Sequence, residues 1–473
     1  MKKLIYILFL AFSITLCAES KVEDSIVKIY TVSKTPNYSI PWNTTIRRSH
    51  GSGAIINGNR ILTNAHVVAN ETFIEVKRHG DTTRYKAKVE YISHQADLAL
   101  LSIEDETFFK GTKALTFDGL PKIQQEVTVY GFPMGGNSIS VSTGIVSRIE
   151  HNRYAHSREI FLSIQIDAAV NPGSSGGPAI SDGKIVGVVM QHVSKSQSIG
   201  YIVPVEIVKH FLEDVKDGRY DGFAHLGLDT QRMENDTLRG VYKMDKETTG
   251  VLIINIAEKS SAHSVLKVDD ILLEVDGHRV QNDGTVEFRE HQFTSFKYYI
   301  DKKHIGDSVR LKVLRNGKKG LVEITLRSIA DDNLLVNTLE HDVMPKYYIY
   351  GGYVFTPLSR NLIMRYNSTL LQLREAANRY ATNDKEEVVV LLKVLADKSN
   401  RGDHTFSLWM IDELNGIEFK NFKEFVDMIK ENKSKFLILK NRDGVKVAID
   451  VKEAMKIQKT ILERYSIESS QRL

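Results

Sequence analysis

Residues 171–180 read NPGSSGGPAI. Two adjacent serines, Ser174 and Ser175, stand among glycines that leave little bulk around them. Such a stretch is either a turn that needs flexible residues, or a loop that exposes one hydroxyl while nearby amide N–H groups face a reacting oxygen. A phosphate loop would carry a G-K-[S/T] run, which is absent here. The catalytic reading requires a histidine and a carboxylate elsewhere. A serine hydroxyl is a poor nucleophile until an imidazole takes its proton and a buried carboxylate fixes that imidazole.

Around this loop, residues 22 to about 205 are dominated by short β-type runs. AII at 54–56 and RILTNA at 60–65 flank Asn57-Gly58-Asn59, a hairpin signal because Asn and Gly tolerate positive φ. EVTVYGF, SVSTGIVSRI, IFLSIQID, PAI and KIVGVVM follow, the last two joined at Asp182-Gly183. Many strands with frequent turns predict antiparallel β-barrels or sandwiches. PVEIVKHFLEDVKDG at 204–218 predicts a closing helix with Ile207, Val208, Phe211, Leu212 and Val215 on one face and Gly218 as its stop.

Within this region His66 follows a predicted strand in LTNAHVV, and Asp97 opens an apolar strand in HQADLALLSI. Singly, each has a plain structural explanation: a satisfied histidine, a turn-capping aspartate, a glycine-rich turn. Together they supply a base, an orienting carboxylate and a nucleophile in the order His, Asp, Ser, which is the order on chymotrypsin-type double barrels.

TNAHVV, ADLALL and GSSGGP resemble the three signatures of the HtrA/DegP (Do-like) serine proteases. GSGAII at 51–56 is similar to that family's strand before the histidine, and SIGYIVPVEIV at 198–208 to the stretch that enters the closing helix. The resemblance implies a chymotrypsin-like double β-barrel with His66 as base, Asp97 as its orienter and Ser175 as nucleophile. The family's G-N-S-G-G is G-S-S-G-G here, so Ser174 replaces an asparagine and Ser175 is the reacting serine. Gly173 and Ser175 would supply the oxyanion-hole N–H groups, and Pro172, lacking an N–H, cannot. Val170, five residues before Ser175, would wall a small apolar pocket, with Met190 to Ile199 as a second wall. The implied preference is for small aliphatic residues such as Val or Ala.

The remaining histidines are expected to matter less. His94 reads as surface, since no further Cys or His stands at metal-ligand spacing, and no metal or cofactor is expected. His50 and His192 are lesser candidates for a substrate-side role. His151 and His156 read as parts of a solvated loop.

Two later stretches resemble each other: strands lead to a D/N-G turn, a region of helical character and a strand–(N/D)G–strand hairpin. HLGLDT at 225–230 resembles the carboxylate-binding loop of PDZ domains, with Leu226, Gly227 and Leu228 offering N–H groups to a peptide C-terminus while the peptide extends a sheet edge. GGYVFTPL, VVLLKVLAD and LNGIEFKNFKEFVDMI resemble the divergent second PDZ of some Do-like proteases, with Gly352-Tyr353-Val354-Phe355 as its loop. Such a copy either binds peptide or packs against other subunits. The expected organisation is a signal peptide at 1–18, a protease domain at 22–218, PDZ domains at 220–330 and 345–455, and a helical tail at 456–473. The fold class is thus mainly β, with two α+β domains after the barrels.

Composition fits this organisation. The chain has 473 residues, 42% hydrophobic and 26% charged, as in ordinary globular proteins. MKKLIYILFLAFSITLCAES reads as a secretory signal, its apolar run being short for a bilayer span, with an uncleaved anchor as the alternative. The only cysteine, Cys17, lies at its edge, so a cysteine nucleophile and disulfides are not expected in the mature chain. A net charge of +4 with no long basic block gives no sign of nucleic-acid binding. The resulting expectation is an exported, periplasmic, ATP-independent endopeptidase acting on unfolded proteins and peptides, built as a homo-oligomer from trimers, with no membrane span after signal cleavage. The alternative is a chaperone or peptide-binding PDZ scaffold with little proteolysis.

Overall fold

A computed structural model describes residues 21–136, 138–192, 199–328, 334–366 and 371–473, with the side chains at 191 and 192 left aside. The expected signal segment lies outside these residues. No described helix is long and apolar enough to cross a membrane.

Twelve strands form two closed antiparallel barrels. The first contains β1 (Ile26–Pro36), β2 (Thr44–Ile56), β3 (Arg60–Thr63), β4 (Glu71–Arg78), β5 (Tyr85–Ser93) and β6 (Leu98–Ile103). The second contains β7 (Glu126–Gly131), β8 (Ser140–Arg153), β9 (Ile160–Ile166), β10 (Pro178–Ser181), β11 (Lys184–His192) and β12 (Gly200–Pro204). The two hairpin signals are realised through positive φ at Gly58 and Asn59 between β2 and β3, and at Asp182 and Gly183 between β10 and β11.

Strand alternation divides the apolar residues among three cores. Val27, Ile29, Ile55, Ile61 and Leu101 fill the first barrel. Val129, Val146, Ile164, Val186 and Ile202 fill the second. A third cluster, including Ile26, Leu98, Phe132, Phe161, Ile180 and Phe211, spans both barrels and fixes their relative position. Truncating one of its buried phenylalanines to alanine would cost about 3–5 kcal/mol. The closing helix α2 (Val205–Asp214) buries Ile207, Val208 and Phe211 against this seam, then tightens into a short 3-10 turn that ends at left-handed Gly218.

The next unit is a sheet in the order Leu228–Arg232, Val251–Ile256, Ile271–Val275, Ser308–Arg315, Lys318–Thr325. Leu228–Arg232 is an edge strand of that path. The last unit joins a five-stranded and a four-stranded sheet, with the helices Phe422–Glu431 and Val451–Arg464 packed on them. The tail differs from the helical expectation. The helix begins before 456 and ends at Arg464, and Gln471–Arg472 pairs with Tyr347 and Tyr348 as an added strand.

Candidate active site

The site lies where loops of both barrels meet. β3 ends at Thr63, and Asn64 leads into α1 (Ala65–Val68), a single turn that carries His66. The β5–β6 connection is a turn from His94 to Asp97, and Asp97 adopts a left-handed φ of 54°. Its carboxylate is 1% exposed. The His66 ring meets it through Nδ1, 2.8 Å from Oδ2 and 3.0 Å from Oδ1, while the His66 backbone N–H donates to Oδ1 at 2.9 Å. Asn64 Nδ2 donates to the Asp97 carbonyl at 2.8 Å. With Nδ1–H committed to a carboxylate, the imidazole keeps its Nε2 lone pair free to accept a proton.

Burial works against a charged His66 ring, but the charge and hydrogen bond of Asp97 outweigh it and hold the ring above its ordinary range. Burial likewise pushes Asp97 up. His66, the nearby His156 and the His66 backbone N–H pull it back below the usual carboxylate range. The pair therefore favours imidazolium beside carboxylate, the charge state that a proton transfer to His66 creates.

Residues 171–177 form a compact loop between β9 and β10. Ser174 N–H donates to Asn171 O, Gly176 N–H to Val189 O and Gly177 N–H to Ser174 O. The N–H groups of Gly173 and Ser175 make no hydrogen bond among the described residues. Ser174 is buried and Ser175 is partly exposed. The loop touches β2 directly: Ser52 N–H donates to Ser175 O at 2.8 Å, and Ser52 Oγ donates to Gly173 O at 2.8 Å while accepting from Phe132 N–H. A side chain at Gly176 would collide with Ser52 O and Thr63 Oγ1, and one at Gly177 with Tyr130 O, so both positions require glycine. The Ser175 hydroxyl donates to Met190 O at 3.4 Å, and no hydrogen bond joins it to His66.

Val170 is half-buried beside Gly200, where an added Cβ would stand 2.7 Å from Val170 Cγ2. Of the expected second wall, Met190 is buried and residues 193–198 lie outside the described residues. His50 is half-buried; burial and the Lys28 charge lower its pKa, and its Nε2 lacks a partner. The His192 side chain is outside the description.

Three histidine readings need correction. His151 is not solvated: its side chain is 4% exposed, and it bonds to Thr294 and Asp301 of the next unit. His94 and His156 are not isolated surface rings either. His94 Nδ1 is 2.9 Å from His156 Nε2, and both rings stack on His341, at centroid distances of 4.5 and 4.0 Å. The three segments are 62 or more residues apart, so sequence spacing carries no sign of their meeting. Burial pushes His156 down to about 3 and His341 to about 4.

The loop of the first C-terminal unit places Leu226, Gly227 and Leu228 at the wall of a cavity of about 530 Å³, opposite Phe296 and Ile300. Gly227 has a φ of 69°, and any Cβ there would strike Ser260. The corresponding expectation for the second unit does not hold. Gly351 and Gly352 form a tight turn, and Tyr353, Val354 and Phe355 lie in a strand bonded on both sides, to Tyr347–Tyr350 and Val389–Val394. Their backbone groups are used by the sheet, which leaves no open carboxylate loop.

Sequence reasoning missed Ser52, Asn64 and His341. Ser52 had a signal: a serine between two glycines inside a strand marks close approach of another backbone.

The family model of a trypsin-like peptidase domain matches residues 51–188, and models of a PDZ domain match residues 225–326 and 336–472. The chain is 38% identical over 459 residues to the putative protease Do-like 3, mitochondrial, of Arabidopsis thaliana, covering 97% of this chain and 81% of that protein. It is 38% identical over 449 residues to protease Do-like 4, mitochondrial, of the same plant, covering 94% and 84%. In three dimensions it is similar to the HtrA-type protease AlgW with tripeptide, with a TM-score of 0.52 at 23% identity, over 66% of this chain and 96% of that one.

Proposed function

This chain belongs to the Do-like family of HtrA-type serine endopeptidases, and we propose that His66, Asp97 and Ser175 are its catalytic base, orienting carboxylate and nucleophile. The observation that carries the assignment is the His66–Asp97 pair, held by three contacts, together with a serine loop whose Gly173 and Ser175 amides make no hydrogen bond among the described residues.

In the proposed reaction Ser175 Oγ attacks a peptide carbonyl while His66 Nε2 takes its proton. The Gly173 and Ser175 N–H groups receive the resulting oxyanion, a kind of contact worth about 2.7–4 kcal/mol per donor. Collapse breaks the C–N bond, and His66 returns the proton to the leaving amine. Water, deprotonated by His66, then releases the acyl group and restores Ser175. Asp97 stays ionised throughout. Val170 limits the pocket and favours small aliphatic side chains.

The natural substrates in this reading are unfolded or damaged proteins, which expose such side chains. The loop at 226–228, beside the free edge Leu228–Arg232, captures substrate C-termini or controls assembly. Export to a non-cytosolic compartment, the periplasm for a bacterial source, and assembly from trimers belong to the same proposal. The test compares casein degradation by wild type and Ser175→Ala. Equal degradation would remove Ser175 from its role. If neither protein degrades casein yet both suppress its aggregation, the chain is a scaffold.

A further inference from the structure

His94 sits in the β5–β6 turn, His156 in the β8–β9 loop and His341 near the start of the second PDZ unit, before its strand Tyr347–Tyr350. One ring nitrogen from each lies within 4.8 Å of the other two. Tetrahedral ligation at about 2.0–2.1 Å needs ligand nitrogens roughly 3.3 Å apart, so the stacked rings must pivot to share one centre.

Two observations point to a ligand rather than to ring stacking alone. His341 Nε2 is buried and has no hydrogen-bond partner. A polar atom left in that state costs stability unless something binds it. Independently, His94 Nε2 meets Asp342 Oδ2 at 2.8 Å, which leaves Nδ1 facing the cluster. A carboxylate on the far nitrogen of a ring is the arrangement that orients histidine ligands and raises their basicity. The donor set is all imidazole, which suits zinc, copper and nickel rather than magnesium or calcium.

The segment carrying His341 is also held from both sides. Asp342 and Asn70 exchange backbone-to-side-chain hydrogen bonds, and so do Glu340 and Asn361. The cluster adjoins the candidate active site, with the His156 ring 6.1 Å from that of His66 and His94 three residues before Asp97.

We propose that His94, His156 and His341 bind one divalent transition-metal ion of the zinc class, with Asp342 orienting His94, and that the ion ties the first segment of the second PDZ unit to both barrels beside His66. The site is separate from the reaction assigned to Ser175 and supplies no step in it.

The experiment uses the full chain carrying Ser175→Ala, to prevent self-digestion, after chelator treatment. Zn²⁺ alone is titrated calorimetrically, and Co²⁺ absorption reports coordination geometry. The expected result is one saturable ion per chain with tetrahedral Co²⁺ bands. His94→Ala, His156→Ala and His341→Ala each abolish it, and Asp342→Asn weakens it by about 10–100-fold, the usual range for a partner behind a ligand. His66→Ala leaves it within a few-fold. His341→Asn serves as a second variant if an alanine variant loses its circular dichroism spectrum. Binding that survives all three histidine replacements, or that His66→Ala abolishes, would overturn the proposal. So would the absence of saturable binding to the folded parent.

Discussion

The hydroxyl of Ser175 donates to the backbone carbonyl of Met190 at 3.4 Å. That length is beyond the usual range for an O–H···O bond, so little holds the side chain there. In the proposed reaction the hydroxyl leaves that carbonyl for Nε2 of His66, the nitrogen that Asp97 leaves free. Ser175→Ala is therefore expected to lower kcat by about a millionfold. A fluorophosphonate should label Ser175, not buried Ser174. Peptide mapping of the labelled protein checks the assignment, and modification of Ser174 would contradict it.

Replacing Asp97 by Asn keeps the volume but presents an amide N–H to Nδ1. The ring then carries its proton on Nε2 and cannot accept another from Ser175. Activity should fall about 10⁴-fold with the far-ultraviolet circular dichroism unchanged. A loss under tenfold would show that Asp97 does not set the tautomer.

The pH profile follows from the same pair. Asp97 holds the His66 pKa above its ordinary 6.5 despite burial. The base must be neutral to act, so kcat/KM should be low in acid and rise as pH climbs through that raised pKa. Protonated His66 paired with Asp97 stabilises the fold at low pH, and this contribution is lost as pH rises through the folded-state pKa. In Asp97→Asn the raising charge is gone while burial remains, so the acid limb should move to lower pH. A limb that stays in place would assign it to another group.

Ser52 holds the loop without touching substrate. Its hydroxyl bridges Gly173 O and Phe132 N–H, and Ser52→Ala leaves that buried amide without its partner. The expected cost is about 1–3 kcal/mol of stability. Because Gly173 is one of the two proposed oxyanion donors, kcat should fall more than KM rises. Denaturant unfolding and steady-state kinetics with a short peptide separate the two effects. Unchanged kcat would make Ser52 purely structural.

What the sequence revealed depended on the range of the interactions. The Asp182-Gly183 hairpin and α2 are local features, encoded by turn chemistry and by a 3.6-residue period, and both were readable. His66 and Asp97 are 31 residues apart, and only the order of family-like segments brought them together on paper. The cluster of His94, His156 and His341 has neither a local period nor a family motif. It exists because the segment at 340–342 folds back over the barrels. The strand Tyr353–Pro357 was misread for a related reason: Gly351-Gly352 looks like a carboxylate loop until its neighbours on both sides are known.

The last prediction concerns the edge strand Leu228–Arg232, where an incoming peptide would pair. Tyr380 of the second PDZ unit lies against it. Burial, then the nearby Asp229 charge, push the Tyr380 phenol well above its usual range. Tyr380 and Leu334 also line the cavity beside the 226–228 loop, so the second unit partly covers the groove of the first. Lys259 and Glu386, 3.8 Å apart and partly exposed, add a pair worth only about 0–1 kcal/mol. Tyr380, which lines this cavity together with Asp229, stands where a peptide must pass to reach the edge. Tyr380→Phe removes the phenol hydroxyl beside Asp229 and keeps the ring. Because the site is partly exposed, a gain of about 1 kcal/mol is reasonable, or several-fold in affinity. Fluorescence anisotropy with a hydrophobic peptide bearing a free C-terminal carboxylate should show that tightening. The same peptide with an amidated C-terminus should bind weakly to both proteins, because the N–H groups at 226–228 then lack an anion. If Tyr380→Phe binds the carboxylate peptide no better than wild type, the tyrosine does not guard the groove. If the amidated peptide binds equally well, the loop does not read the carboxylate.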